Sequence, residues 1–301
     1  MGRRERSEIA FLASALAMGL AVVLIFGFIA WTAAPVLEKE GPGFLTGTVW
    51  DYDTGQYGIL VFIAGTLIVT AVTMVMAVPV GILTAIYLAE WAPAPVERIL
   101  RPCIELLVGI PSVVYGIFGF FVLRGYFGYD INPALIVVLG WIPGFQNTGH
   151  TNALCVLLAA TVLSIMVLPT IVALSMEAIR SVSRELREAS LSLGSTEWET
   201  IRHIVVPSAY PGILTSIILA MMRAMGETMA VIMLIGNVAR IPGSIFDPGY
   251  TMSSKILNDI GYYIMIPEPK AALFAIALVL FLMEAGMVGI VRGVSAYFGG
   301  K

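Results

Sequence analysis

Six long apolar runs constrain this chain more than any other feature, and three of them carry no charge at all. Ile9 to Ala34 is 26 residues without a charged side chain, and Gly58 to Ala89 is 32. As a helix the first would be about 39 Å long, enough to cross a bilayer with tilt. The hydrophobic core of a secretory signal is only about 7–15 residues. The run behind Arg3, Arg4 and Arg6 therefore reads as an uncleaved span.

The third run is Pro102 to Leu123, with Glu105 near its start and Pro111 inside. The fourth is Ala153 to Ser175, with Pro169; the fifth is Pro211 to Val238, with Arg223 and Glu227; the sixth is Ala271 to Val291, with Glu284. Pro79 is expected to kink the second. Leu135 to Leu139 is too short to span, because Pro133, Gly140, Pro143 and Gly144 cut it off; it is expected to be re-entrant or interfacial. Composition agrees: 12% of residues are charged, against about 25% in soluble domains. The expected fold is all-α, a polytopic membrane protein of about six transmembrane helices. Residues 1–57 would form an N-terminal transmembrane helix and first external loop. Residues 58–301 would form a transmembrane core with a cytoplasmic loop at 176–210.

Basic residues set the orientation. With six spans and a cytoplasmic N-terminus, 11 Lys and Arg fall on the cytoplasmic side and 5 on the other, with Arg223 in the membrane. That asymmetry places both termini in the cytoplasm. No basic patch suits nucleic acid. Cys103 and Cys155 form no metal or redox spacing, and His150 and His203 have no ligand partner at a useful distance along the chain. No G-x-x-x-x-G-K-[ST] occurs, so the chain has no phosphate-cradling loop of its own.

The loop 176–210 is the most polar long segment. Ile179, Val182, Leu186, Ala189 and Leu193 form one helical stripe. Gly194 breaks it. Thr196 and Glu199 then form a capping box that starts a second helix, with Trp198, Ile201 and Val205 on one face and Pro207 ending or bending it. Two short helices meeting at Gly194 would make an elbow. Periodicity alone fits a solvated loop with interfacial helices as well.

Residues in this loop carry a resemblance. Glu188-Ala189-Ser190, three residues, Gly194, nine residues and Ile204-Val205-Val206-Pro207 resemble the EAA loop of ABC importer permeases, with departures at Ser190 and Val206. Gly65-Thr66, Val78 to Gly81, and Ile86 to Glu90 resemble the start of that permease core. Gly109 to Gly119 is similar to the third-span signature of the phosphate branch. Arg223-Ala224-Met225-Gly226-Glu227-Thr228-Met229 is similar to the PstC-type permeases rather than to PstA. The resemblance implies a type I ABC importer permease fold in the cell membrane, with phosphate as substrate and no enzymatic activity. It implies a coupling loop that docks on a dimer of ATP-binding subunits, which use the ATP. It also implies a second, PstA-like permease subunit and an external phosphate-binding protein.

Arg223 and Glu227, four apart, would share one helical face. A charge at mid-bilayer costs about 2.5–3.5 kcal/mol on insertion scales, so that face should point inward. A guanidinium there could attract an oxyanion, with Glu227 limiting its affinity and accepting the proton of a P–OH group. A structural ion pair fits the same spacing. Glu105 could meet Arg101, and Glu284 has no evident role. Gly289 and Gly293 form a GxxxG packing motif. Three alternatives remain at this point: a PstA-like subunit or a permease for molybdate, sulfate or a phosphonate; a membrane enzyme, which the absence of a Ser/His pair, Asp pair or HExxH disfavours; and a channel or secondary transporter, which would not need the elbow.

Overall fold

The structure, a computed structural model, describes residues 2–299, with side chains from residue 8 to residue 293. Lys301 and the side chains of Arg3, Arg4 and Arg6, used above for orientation, lie outside the described residues. The chain is helical almost throughout. In order it runs through α1 (Gly2–Glu40), α2 (Gly43–Thr46), a hairpin of β1 (Trp50–Asp51) and β2 (Gln56–Tyr57), and α3 (Leu60–Ile86). Then come α4 (Ala94–Gly109), α5 (Ser112–Phe118), α6 (Arg124–Tyr126), α7 (Asn132–Leu139), α8 (Val156–Arg180) and α9 (Arg184–Ser192). The remainder is α10 (Glu197–Thr200), α11 (Val206–Gly226), α12 (Met229–Leu234), α13 (Met252–Tyr263) and α14 (Pro267–Gly299).

Among the described residues five helices are long and apolar enough to cross a membrane: Glu8–Glu40, Leu60–Trp91, Val156–Arg180, Glu197–Gly226 and Pro267–Gly293. A sixth span would be a bent pair, Ala94–Gly109 and Ser112–Leu139, which meet at 94°. The third run is thus not a straight helix. Pro111 forces the residue before it out of the helical region; Ile110 is extended, at φ −75° and ψ 125°. Beyond Leu123 the helix does not stop as expected. It continues to Leu139 through π-helical turns at Gly119–Leu123 and Phe127–Ile131. The second turn absorbs the missing N–H of Pro133, which lies at the start of α7. The segment 135–139 is therefore the end of a longer helix.

Two compact units make up the chain. One comprises the segment up to Leu60 together with Lys255–Leu282; the other comprises Val61–Ser254 and the segment from Met283. In the first unit, the hairpin pairs Trp50 with Tyr57 in antiparallel register. Asp51 holds its turn by accepting from Asp53 N at 3.0 Å and Thr54 Oγ1 at 2.8 Å. Lys255, almost fully buried, lies 4.9 Å over the Trp50 ring and pairs with Asp259 at 2.6 Å. Burial lowers the Lys255 pKa against the pull of Asp259.

In the second unit, α8 is the centre. Close approach of helices rests on small residues, as membrane packing requires. A Cβ on Gly81 would lie 2.7 Å from Ile171 Cγ2, and one on Gly212 would lie 2.4 Å from Ala178 Cβ. Ser175 and Ser216 hydroxyls meet at 2.7 Å between α8 and α11. Gly65 lets the Tyr250 backbone touch α3, where a Cβ would be 2.2 Å from its carbonyl oxygen, and Thr66 Oγ1 accepts from Met252 N at 3.0 Å. The buried start of α8 finds acceptors outside the helix: Val156 N donates to Asp247 O and Leu157 N to Ile245 O. That loop is tied in turn by the buried Asp247 carboxylate, which accepts from Gly243 N, Ser244 N and Thr148 Oγ1.

Candidate functional site: an elbow and a broken helix

The loop 176–210 folds as two helices, α9 and α10, around Gly194, which stands at φ +89°. Glycine alone enters that region without a Cβ penalty. Thr196 and Glu199 form the expected capping box: Glu199 N donates to Thr196 Oγ1 at 3.2 Å, and Thr196 N to Glu199 Oε2 at 2.8 Å. The carboxylate accepts from the Thr196 amide and also from its hydroxyl, at 2.9 Å, and these two bonds favour the ionised form and hold the Glu199 pKa below its ordinary value. Ser190, one of the two departures from the loop pattern, is buried and meets Thr200 Oγ1 at 2.9 Å, bracing one helix on the other.

One expectation for this loop fails, and another loses one of its two alternatives. The stripe from Ile179 to Leu193 is not one helix, because α8 ends at Arg180 and α9 begins at Arg184. The Ser181 hydroxyl turns back onto the Ala178 carbonyl, and Ser183 takes the extended N-cap conformation. Leu186, Ala189 and Leu193 consequently face outward, Leu193 at 88% exposure. Pro207 does not end the second helix. A π-helical turn, Ile201–Val205, carries α10 into α11, and this wide turn accommodates the missing N–H of Pro207 just beyond it. Glu188, Gly194 and Pro207 are exposed and Ile204 half-buried. The tip thus presents apolar and polar surface together.

Sequence reasoning missed how this elbow is held. Arg187 Nη1 donates to both Glu90 oxygens, at 2.7 and 2.5 Å, and its Nη2 to the Ile179 carbonyl at 2.9 Å. Arg180 Nη2 donates to the Leu88 carbonyl at 3.1 Å and to Glu97 at 2.7 Å. Trp198 stacks on Trp91 with centroids 5.7 Å apart.

The second feature lies in the fifth run. Here α11 stops at Gly226, because Glu227 is extended at φ −66° and ψ 128°. Glu227 Oε1 accepts from Thr228 N at 3.2 Å and Ala230 N at 3.3 Å, capping α12. Ser253 Oγ donates to the Glu227 carbonyl at 3.0 Å. The expectation that Arg223 and Glu227 share a helical face is therefore corrected: the helix breaks between them, and among the described residues no ion pair joins them. Arg223 is exposed in the last turn of α11. Glu284 comes to the same break; its Oε1 lies 3.0 Å from where a Cβ on Gly226 would stand.

Other candidates fall away from the site. Arg101 and Glu105 form an exposed pair at 2.9 Å. Cys103 and Cys155 are both free. His203 Nδ1 lies 3.1 Å from the Glu199 carbonyl, one turn back on its own helix. A Cβ on Gly289 or Gly293 would meet nothing within 4 Å, so neither glycine is required here by a close helix contact among the described residues.

Arg223 is thus a guanidinium exposed at the end of an interrupted apolar helix, with no ion pair among the described residues. Such breaks are tolerated in membranes where they face protein or a water-filled cavity. The chemistry available is electrostatic attraction and bidentate hydrogen bonding to an oxyanion.

Comparison with known proteins fits this arrangement. Residues 77–294 match the family described as binding-protein-dependent transport system inner membrane component. A phosphate transport system permease protein PstC from Mesorhizobium japonicum is 36% identical over 285 residues, covering 94% of this chain and 85% of that protein. The probable ABC transporter permease protein YqgH of Bacillus subtilis is 39% identical over 256 residues, covering 84% and 77%. Among solved structures, an inward-facing MetNI methionine ABC transporter chain superposes with a TM-score of 0.51 at 19% identity, covering 79% of this chain and 94% of that one. The last likeness concerns the fold, that of a type I ABC importer permease. With its family match, its multi-pass apolar helices and its elbow, this chain belongs to the binding-protein-dependent transport system inner membrane component family.

Proposed function

We propose that this chain is the PstC-type permease subunit of an ATP-driven phosphate importer and forms the translocation pathway by alternating access. Relatives that are 36% identical over most of the chain bear the name phosphate transport system permease protein PstC. The observation that carries the reading is Arg223, exposed where an apolar helix breaks. Phosphate at neutral pH carries between about one and two negative charges, and its oxygens match the guanidinium fork. Arg223 attracts the anion. Glu227 holds the break open by capping α12, and its negative charge beside the path keeps binding weak enough for release.

In this reading both termini are cytoplasmic, and the elbow receives its movement from a dimer of ATP-binding subunits. The chain itself binds no nucleotide. A PstA-like permease covers the Arg223 face, and an external phosphate-binding protein delivers the substrate. Glu188, Ala189, Ser190, Gly194, Ile204 and Pro207 make up the coupling loop.

The test is uptake of radiolabelled phosphate by the assembled complex carrying Arg223→Gln. Uptake is expected to fall about tenfold or more, as loss of a charge-assisted hydrogen bond implies. Unchanged uptake with normal assembly refutes the role, and labelled sulfate or molybdate transported better than phosphate reassigns the substrate.

A further inference from the structure

Three contacts from the elbow and the helix that leads into it converge on one short stretch. From α9, Arg187 reaches the Glu90 carboxylate. From α10, Trp198 stacks on Trp91. From the end of α8, Arg180 takes the Leu88 carbonyl. All three targets lie in the π-helical turn Tyr87–Trp91 that closes α3. Immediately after it the chain is extended at Ala92 and Pro93 and enters α4, the first arm of the bent third element.

Of the two ion pairs that Arg187 and Arg180 make, Arg187–Glu90 is the more sheltered. Its side chains are 23% and 10% exposed, whereas the Arg180–Glu97 pair is 38% and 28% exposed. Sheltered ion pairs resist separation more than screened ones. Arg187 also donates to the Ile179 carbonyl in the last turn of α8, which takes the Val182 amide as well. One guanidinium therefore ties α9 to the ends of two membrane helices. An ammonium has no fixed fork to hold both acceptors. A π turn is a helix with one residue too many, a frequent site of functional distortion.

We propose that Arg187 and Glu90 are a positioning pair: they transmit movement of the elbow to the turn before α4, and so couple ATP hydrolysis by the partner to movement of the third membrane element. This rests on the importer reading above. The pair touches no substrate; it acts through the helices it joins.

The experiment uses the complete complex in proteoliposomes, measuring phosphate uptake and ATP hydrolysis together. Glu90→Gln and Arg187→Gln are expected to keep hydrolysis within about twofold of wild type while uptake falls about tenfold, so that ATP spent per phosphate rises. The swap Glu90→Arg with Arg187→Glu should recover part of the loss. Arg187→Lys keeps the charge and the fold but loses the second acceptor; its ratio should lie between wild type and Arg187→Gln. The proposal is overturned if Arg187→Lys keeps the wild-type ratio, or if uptake and hydrolysis fall in proportion in every variant that assembles. A wild-type complex that neither imports phosphate nor hydrolyses ATP defeats the importer reading instead, a result separate from a working wild type with unaltered variant ratios.

Discussion

Two helices of this chain are interrupted beside a glycine, and the interruptions are used differently. At Gly194 the charges around the break are spent on protein: Arg187 on Glu90 and Ile179, Arg180 on Glu97 and Leu88, Glu199 on Thr196. At Gly226 the nearby cation, Arg223, is exposed and has no ion pair among the described residues. Spent charges fix geometry, and an unspent one is available to a passing anion. Substitutions at the first break should therefore damage folding and coupling, and those at the second should damage transport with the fold intact.

The largest expected effect is at the elbow. Glu90→Ala would leave the Arg187 guanidinium sheltered and unpaired, which costs about 3–5 kcal/mol when an ion pair is well buried. At 23% exposure Arg187 should sit toward the lower end of that range or below it. A drop in melting temperature of the purified complex, largely relieved by also making Arg187→Met, would confirm that the cost is an abandoned charge. The same melt on Arg223→Gln should move by no more than about 0.5 kcal/mol, the usual size for an exposed site. A large destabilisation there would erase the contrast between the two breaks.

Next come the glycines themselves. Gly194 is held by its backbone, with φ at +89° and nothing within 4 Å of a Cβ. Gly194→Ala should cost about 1 kcal/mol from conformation alone. Asn, which tolerates that region better, should cost less. Gly226 has ordinary φ, and its limit is a neighbour, Glu284 Oε1 at 3.0 Å. The far end of a flexible side chain can shift, so Gly226→Ala should change stability by less than about 0.5 kcal/mol. Any larger effect should disappear in the double variant with Glu284→Ala. If Gly194→Ala is the one rescued by removing a neighbouring side chain, the distinction fails.

The sequence made the spans legible because lipid demands long apolar runs, and it made the capping box legible because Thr196 and Glu199 are local to each other. It misled at Gly226. A spacing of four inside an apolar run reads as helix, but the outcome is set by Glu227 capturing Thr228 and Ala230 amides and by Ser253 holding the Glu227 carbonyl. Pro111 was visible as a breaker, while the 94° bend it begins was not. The Arg187–Glu90 pair spans 97 residues, and nothing in either residue's local pattern announces the other. The amphipathic α13 was hidden for a similar reason, since Lys255 is buried by aromatic rings that come from residues 50 and 52.

The smallest predicted effect concerns pH and separates the two helices of the elbow. Glu199 has its pKa lowered from the ordinary 4.5 by the Thr196 amide and hydroxyl. A depressed carboxylate pKa stabilises the fold fully above the unfolded value and loses that contribution as pH falls through the folded value. Protection of the α10 amides, corrected for intrinsic exchange rate, should therefore be flat from neutral pH down to about 4.5 and decline only below it. Glu199→Gln keeps an acceptor for the Thr196 amide and so keeps the box, but without a charge to titrate. Its protection should be slightly lower at neutral pH and should lack the acid decline. The α9 amides rest on the Arg187–Glu90 contact and not on the box, so Glu199→Gln should leave their protection unchanged. If both helices lose protection together in wild type and in Glu199→Gln alike, the box is not what starts α10, and the elbow melts as one piece about the Glu90 contact.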